Sequence, residues 1–274
     1  MRILKCFKSV ALQTLAMSNL DIRKAALESS RILDRFGITK PEDIRLKDIA
    51  FALGVDVIEG RLEGAAASLV SFENKAVIRI NYKESDPNRK RFSIAHELGH
   101  FVLRHGHNLR KICSINDLNT WYGGSEEMQA NTFAAELLLP TKLVNPLCDV
   151  DAPDISFDLI RKIAKIFRAS LTATAIRFVS LCPEPCTIVC SKESKISWSW
   201  RSEEWKFFIE HGVPLDQETV AYDLHRGEDM PDRPIEVSSS AWGEWKSTDC
   251  IMEHSVSFPR FGFVLSLLWV ESDR

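Results

Sequence analysis

His96-Glu97-Leu98-Gly99-His100, set inside the apolar run of residues 92–103, narrows what this chain can be more than any other feature. Residues four apart share one face of an α-helix, so His96 and His100 can reach one metal ion together. Glu97 sits one position round from that face. Two imidazoles with a neighbouring carboxylate are the parts a zinc hydrolase uses: a Lewis acid, an open coordination position and a general base. Phe92, Ile94, Ala95, Leu98, Phe101, Val102 and Leu103 predict a helix buried over most of its circumference. A surface helix with two solvated histidines would not be so apolar around its polar residues. Gly99 lowers helix propensity, a cost tolerated where another backbone must come close.

Catalytic zinc normally takes three protein ligands, so a third donor is needed. Residues 125–140 predict a second helix, with Ser125 as N-cap, Glu126 and Glu127 in the first turn and Pro140 as the stop. Met128, Ala130, Phe133, Ala134, Leu137 and Leu138 recur at helical spacing. Glu127 and Asn131 are i, i+4 partners, so a first-turn carboxylate can meet the metal while the amide supports it from behind. Glu126 is the competing carboxylate.

Residues 91–105, followed by the block Glu127-Met128-Gln129-Ala130-Asn131-Thr132-Phe133-Ala134-Ala135-Glu136-Leu137-Leu138-Leu139-Pro140, resemble the ImmA/IrrE family of bacterial zinc metallopeptidases. That family joins a His-Glu-x-x-His helix to one carrying Glu-x-x-Ala-Asn-x-Phe-Ala-Ala-x-Leu-Leu-x-Pro. Both motifs stand here in order, with 27 positions from His100 to Glu127. The resemblance implies an α+β zincin-like core and one Zn2+ ion held by His96, His100 and Glu127, with Glu97 as the base. It also implies a cytoplasmic endopeptidase that cuts a helix-turn-helix repressor and so switches on stress-response or mobile-element genes. Relatives often carry a histidine four residues after the second ligand; here that position is Arg104, with His105 following. His105, His107 and Tyr122 are therefore open candidates for donating to an oxyanion, with His105 and Tyr122 also candidates for supporting the ligands from behind, against plain loop or helix-end roles.

The rest of the core is similar to the family as well. Residues 21–36 read as an amphipathic helix with Ile22, Ala26, Leu33 and Phe36 on one stripe, and residues 46–53 as a second. Residues 76–82 alternate apolar and polar side chains as a half-buried strand does. In zincin-like folds a strand of this kind lies beside the cleft, where an extended substrate would pair with its edge.

Residues 145–154 read as a linker. Residues 157–179 then form two short helices with a turn near Ala169-Ser170, similar to the family's helix-turn-helix segment. Arg161, Lys162, Lys165, Arg168 and Arg177 make this segment basic, which leaves two readings: contact with DNA or a partner, or a helical pair packed on the peptidase. The second helix offers few side chains able to read base edges. Cys182-Pro183-Glu184-Pro185-Cys186 with Cys190 invites a zinc-knuckle reading, but no fourth ligand is evident, and a linker fits the prolines better. Strand-like runs at 187–190, 195–200, 235–239, 250–257 and 261–270 predict a small α+β domain, mostly antiparallel, of sensor or docking type, with its tryptophans as core. The expected division is an extension at 1–20, a zincin-like domain at 21–145, the helix-turn-helix-like segment at 155–182 and the sheet-rich domain at 187–274.

Composition bounds the partners. A chain of 274 residues, 45% hydrophobic, 27% charged and of net charge −3 gives no general reason to expect nucleic acid. Seven cysteines, scattered and odd in number, point to reduced thiols in a cytosol. The longest apolar run, residues 261–270, has strand length, so no membrane partner is expected. Residues 1–16 are faintly like a signal peptide; a helical extension or a start at Met17 fits better. Two other functions compete: a DNA-binding regulator acting through 159–177, and an antitoxin-like interaction protein with a structural metal site. Neither has any need of Glu97. The sequence is silent on oligomeric state.

Overall fold

The computed structural model describes residues 21–105, 110–114, 125–148, 155–229, 231, 233–243 and 249–271, with 110–114 and Ser125 described in backbone only. The expected extension at 1–20, the oxyanion candidates His107 and Tyr122, and the end of the linker lie outside these residues. The chain divides into two compact units, Met1–Leu143 with Phe167–Ala169, and Val144–Ile166 with Ser170–Arg274.

In the first unit, α1 (21–35) buries Ala25, Ser29, Ile32 and Leu33, spaced at three and four residues as an amphipathic helix requires. Gly37, at φ 63°, takes the left-handed turn that ends it. α2 (Leu46–Ala52) leads into β1 (Val55–Gly60), β2 (Ala65–Phe72) and β3 (Lys75–Asn81). Along β3, Ala76, Ile78 and Ile80 are buried while Lys75, Val77 and Arg79 are exposed, so the period-two pattern sets one face to the core. With β4 (Arg110–Ser114) the sheet order is β1-β3-β2-β4. β3 pairs in parallel with β1 and antiparallel with β2.

That order corrects one expectation. The strand at 76–82 lies inside the sheet with both backbone edges already paired, so a substrate strand cannot add to it. Among the described residues the edge strands of this sheet are β1 and β4.

α3 (Pro87–Val102) starts where Asp86 accepts from the Asn88 backbone N–H at 2.8 Å and Pro87 fills the first helical position. Every residue from Phe92 to His100 is buried. One side of this helix faces β2 and β3, and the other meets α4 (Ser125–Leu138). The two helices touch through their backbones. A Cβ built on Gly99 would stand 3.2 Å from the Ala130 Cα and O and 3.1 Å from a Phe133 ring carbon. Behind α4, the Glu136 carboxylate accepts from Ser30 Oγ on α1 at 3.2 Å. It also accepts from the backbone N (3.1 Å) and hydroxyl (2.8 Å) of Thr141, which opens α5 (Thr141–Val144). The linker expected at 145–154 begins as a single 3-10 turn, Asn145–Leu147.

In the second unit, α6 (Phe157–Phe167, all but its last residue) and α7 (Leu171–Leu181) are the two short helices, joined through Arg168 at φ 54° and capped at Ser170, whose hydroxyl accepts from Ala173 N. Ser170 confirms the turn read from the sequence. The Phe157 backbone N–H donates to His254 Nδ1 at 3.2 Å. Trp200 Nε1 donates to Ser180 Oγ at 2.8 Å. Both bonds tie the helices to the strands that follow: β5 (Cys186–Lys192), β6 (Lys195–Arg201), β7 (Ile235–Ser238), β8 (Cys250–Phe258) and β9 (Phe263–Trp269), with α8 (Val220–His225) between β6 and β7. Their order is β6-β5-β9-β8-β7, antiparallel throughout. Trp205, Trp242, Leu224, Ile251 and Leu268 belong to its core. Buried Glu253 on β8 accepts from the backbone N of Val220 (3.2 Å) and Ala221 (2.9 Å), from Trp242 Nε1 (2.9 Å) and from Ser255 Oγ (2.7 Å), which fastens α8 to the sheet. Beyond β6, Ile196 N bonds Val213 O and Gly212 N bonds Ile196 O, with a bridge between Lys195 and Pro214.

Two substitutions test this packing. Gly99→Ala gains helix propensity but presses a methyl onto the Ala130 backbone, which cannot turn aside; a net loss of about 1–2 kcal/mol is expected, read as a lower urea midpoint at unchanged slope. The β5–β6 hairpin closes through Glu193 (φ 51°) and Ser194 (φ 57°), two non-glycine residues in the left-handed region. Replacing them with Asn-Gly, the pair this turn favours, should raise the same midpoint by about 1 kcal/mol of stability.

Candidate metal centre

One turn of α3 separates His96 from His100, and both side chains are fully buried. Their Nε2 atoms lie 3.1 Å apart. From the first turn of α4, Glu127 brings Oε2 to 3.2 Å from His96 Nε2 and 3.3 Å from His100 Nε2. Three donors thus form a nearly equilateral triangle. In a tetrahedral zinc site with ligand bonds of about 2.0–2.1 Å, donors stand about 3.3 Å apart. The spacing and the donor chemistry therefore fit a single ion, and among the described residues no other group of His, Cys, Asp or Glu converges this way. Cys182 caps α7, while Cys186 and Cys190 lie in β5; these and Cys148 are buried free thiols.

The approach of α3 to α4 at Gly99 is what lets a carboxylate on one helix reach imidazoles on the other. On α4, Asn131 lies one turn beyond Glu127 and is fully buried. Its Oδ1 is 2.8 Å from His96 Nδ1. An amide oxygen only accepts, so His96 carries its proton on Nδ1 and turns the Nε2 lone pair toward the other donors. His105 Nδ1 is 2.9 Å from His100 Nδ1, and its Nε2 is 3.1 Å from Gln129 Oε1.

Electrostatics follows from this packing. Burial alone would push the Glu127 carboxyl up, but hydrogen bonds and charge from His100 and His96, present when those rings also carry a proton on Nε2 and no ion is bound, outweigh it and hold Glu127 well below the usual carboxylate range. Glu97, next to His96 on α3, is completely buried. Glu126 is exposed and is not one of the three converging groups. Sequence reading missed the contact between His100 and His105 and the part of Gln129; no spacing rule pairs residues across that helix end.

A His-His-Glu triangle with both imidazoles buried, on two abutting helices with a sheet behind, defines a metallopeptidase-like core. Residues 50–179, just under half of the chain, match the family described as IrrE N-terminal-like domain, Peptidase_M78. This match supports the resemblance of that segment to the ImmA/IrrE family. Among solved structures it is similar to a Mycobacterium tuberculosis transcriptional regulator, at TM-score 0.57 and 14% identity, over 90% of this chain and 76% of that one. At that identity the likeness speaks for the fold alone. No curated protein sequence matches. No helix among the described residues is long and apolar enough to cross a membrane.

The support that Asn131 gives His96 can be measured. Asn131→Ala should weaken binding of a divalent ion by about 10- to 100-fold, read by competition with a chromophoric chelator.

Proposed function

We propose that this protein is a zinc-dependent endopeptidase that cleaves a helix-turn-helix repressor in the cytoplasm. The observation that carries the reading is the triangle of His96, His100 and Glu127, with the buried Glu97 next to His96 in the chain. Two neutral imidazoles and one carboxylate are the donor set of catalytic zinc sites. When bound there, zinc supplies Lewis acidity toward a peptide carbonyl and acidifies water at an open position.

The protein's own groups do the rest. Glu97 accepts the proton of the attacking water on a carboxylate oxygen and returns it to the leaving amine. Burial of Glu97 favours this, because exclusion of bulk water strengthens each charge interaction around it. Asn131 keeps His96 in the tautomer that leaves Nε2 available. Of the two edge strands, β4 follows α3 directly in the chain, and we assign it to pairing with an extended substrate. A repressor as substrate rests on the family resemblance, and the regulatory name of the structural neighbour is compatible with it. Free thiols at the buried Cys148, Cys182, Cys186 and Cys190 accord with a reducing compartment.

A DNA-binding role through α6 and α7 has less behind it. Ala173, Thr174, Ala175, Ile176, Phe178 and Val179 of α7 are buried, which leaves little of that helix to enter a groove. An antitoxin-like role has no use for the base.

The test pairs wild type with Glu97→Gln on repressors encoded beside this gene. The variant should keep its zinc, measured by atomic absorption, and lose at least about 100-fold in cleavage rate on gels. Equal cutting by both proteins, or none by either, would sink the peptidase reading.

A further inference from the structure

The C-terminal end of α3 is built in an uncommon way. Arg104 adopts φ 60°, a left-handed conformation that glycine usually takes at this place. Two backbone bonds close the turn: Arg104 N to Phe101 O at 3.2 Å, and His105 N to His100 O at 3.0 Å. This is the Schellman pattern, in which the residue after the left-handed one folds back onto the residue five before it. A hydrophobic contact often joins those two side chains. Here the pair is His105 and His100, and the contact is polar, 2.9 Å between their Nδ1 atoms.

Proton accounting gives this contact a direction. If His100 is to offer Nε2 to a metal, its proton must sit on Nδ1, and His105 Nδ1 must then accept. The His105 proton is left on Nε2, which points at Gln129 Oε1, 3.1 Å away. One arrangement of protons satisfies all three groups. On the other ligand, Asn131 does the same for His96 in a single step. Asn131 and, behind His105, Gln129 both come from α4, the helix that also brings Glu127.

We propose that His105 is a positioning residue of the metal centre: with Gln129 behind it, it holds His100 in the ring orientation and tautomer that ligation needs. The proposal rests on the reading of His96, His100 and Glu127 as a zinc site. Both ring nitrogens of His105 are engaged in this task, so it is not placed to donate to an oxyanion. The left-handed Arg104 is the device that returns the chain to His100.

The full chain is tested as wild type, His105→Leu, His105→Gln and His96→Ala, each checked for folding by circular dichroism. Zinc affinity is measured by chelator competition, and the Co2+-substituted protein by its visible spectrum. His105→Leu should bind zinc about 10- to 100-fold more weakly and shift the cobalt bands. His105→Gln, whose amide oxygen can accept from His100, should recover most of the affinity. If His105→Leu binds as wild type does, or Gln is no better than Leu, the positioning role is overturned while the zinc centre stands. If wild type binds no zinc, or His96→Ala binds it equally well, the centre itself fails and the role of His105 falls with it.

Discussion

At Gly99 the backbones of α3 and α4 come into contact, with Ala130 as the facing residue. The metal-ligand triangle depends on that closeness. A glutamate side chain is short, and any larger residue at 99 would hold its helix away from the two imidazoles. The same contact explains the small residue at Ala130 of α4, whose Cα and O would lie within 3.2 Å of a Cβ at position 99. Glu136 then fixes the far end of α4 by bonding to α1 and to the start of α5.

Several polar groups are buried together here, and each such group is costly unless it is satisfied. The three side chains that would hold the ion meet this by mutual satisfaction. Asn131 serves His96, His105 serves His100, and both imidazoles face Glu127. The arrangement is therefore preorganised: the groups that would grip an ion are already aimed by bonds that do not include it.

Periodicity made much of this legible. The nine-residue buried run of α3, the i, i+4 pairs His96–His100 and Glu127–Asn131, and the five strands of the second sheet follow from local spacing. What stayed hidden depends on partners distant in the chain. Nothing in residues 76–82 tells whether that strand is an edge or an interior one, because the answer lies in its parallel pairing with β1. The stripe on α1 shifted for a similar reason: Ser29, not Phe36, is buried, since the neighbours of α1 decide which face is covered. His105 was visible as a residue but not as a partner of His100. That contact needs a left-handed Arg104, and an arginine does not announce such a turn as glycine would.

β6 is an edge strand of the second sheet, the kind of rim on which foreign strands can nucleate. Residues 212–215 occupy its first positions, and Pro214 within them has no N–H to extend the ladder. Lys195 and Arg201 add positive charge at both ends of the strand. The second sheet is in this way guarded against self-association and fibre growth, at the margin where its hydrogen bonding would otherwise invite another chain.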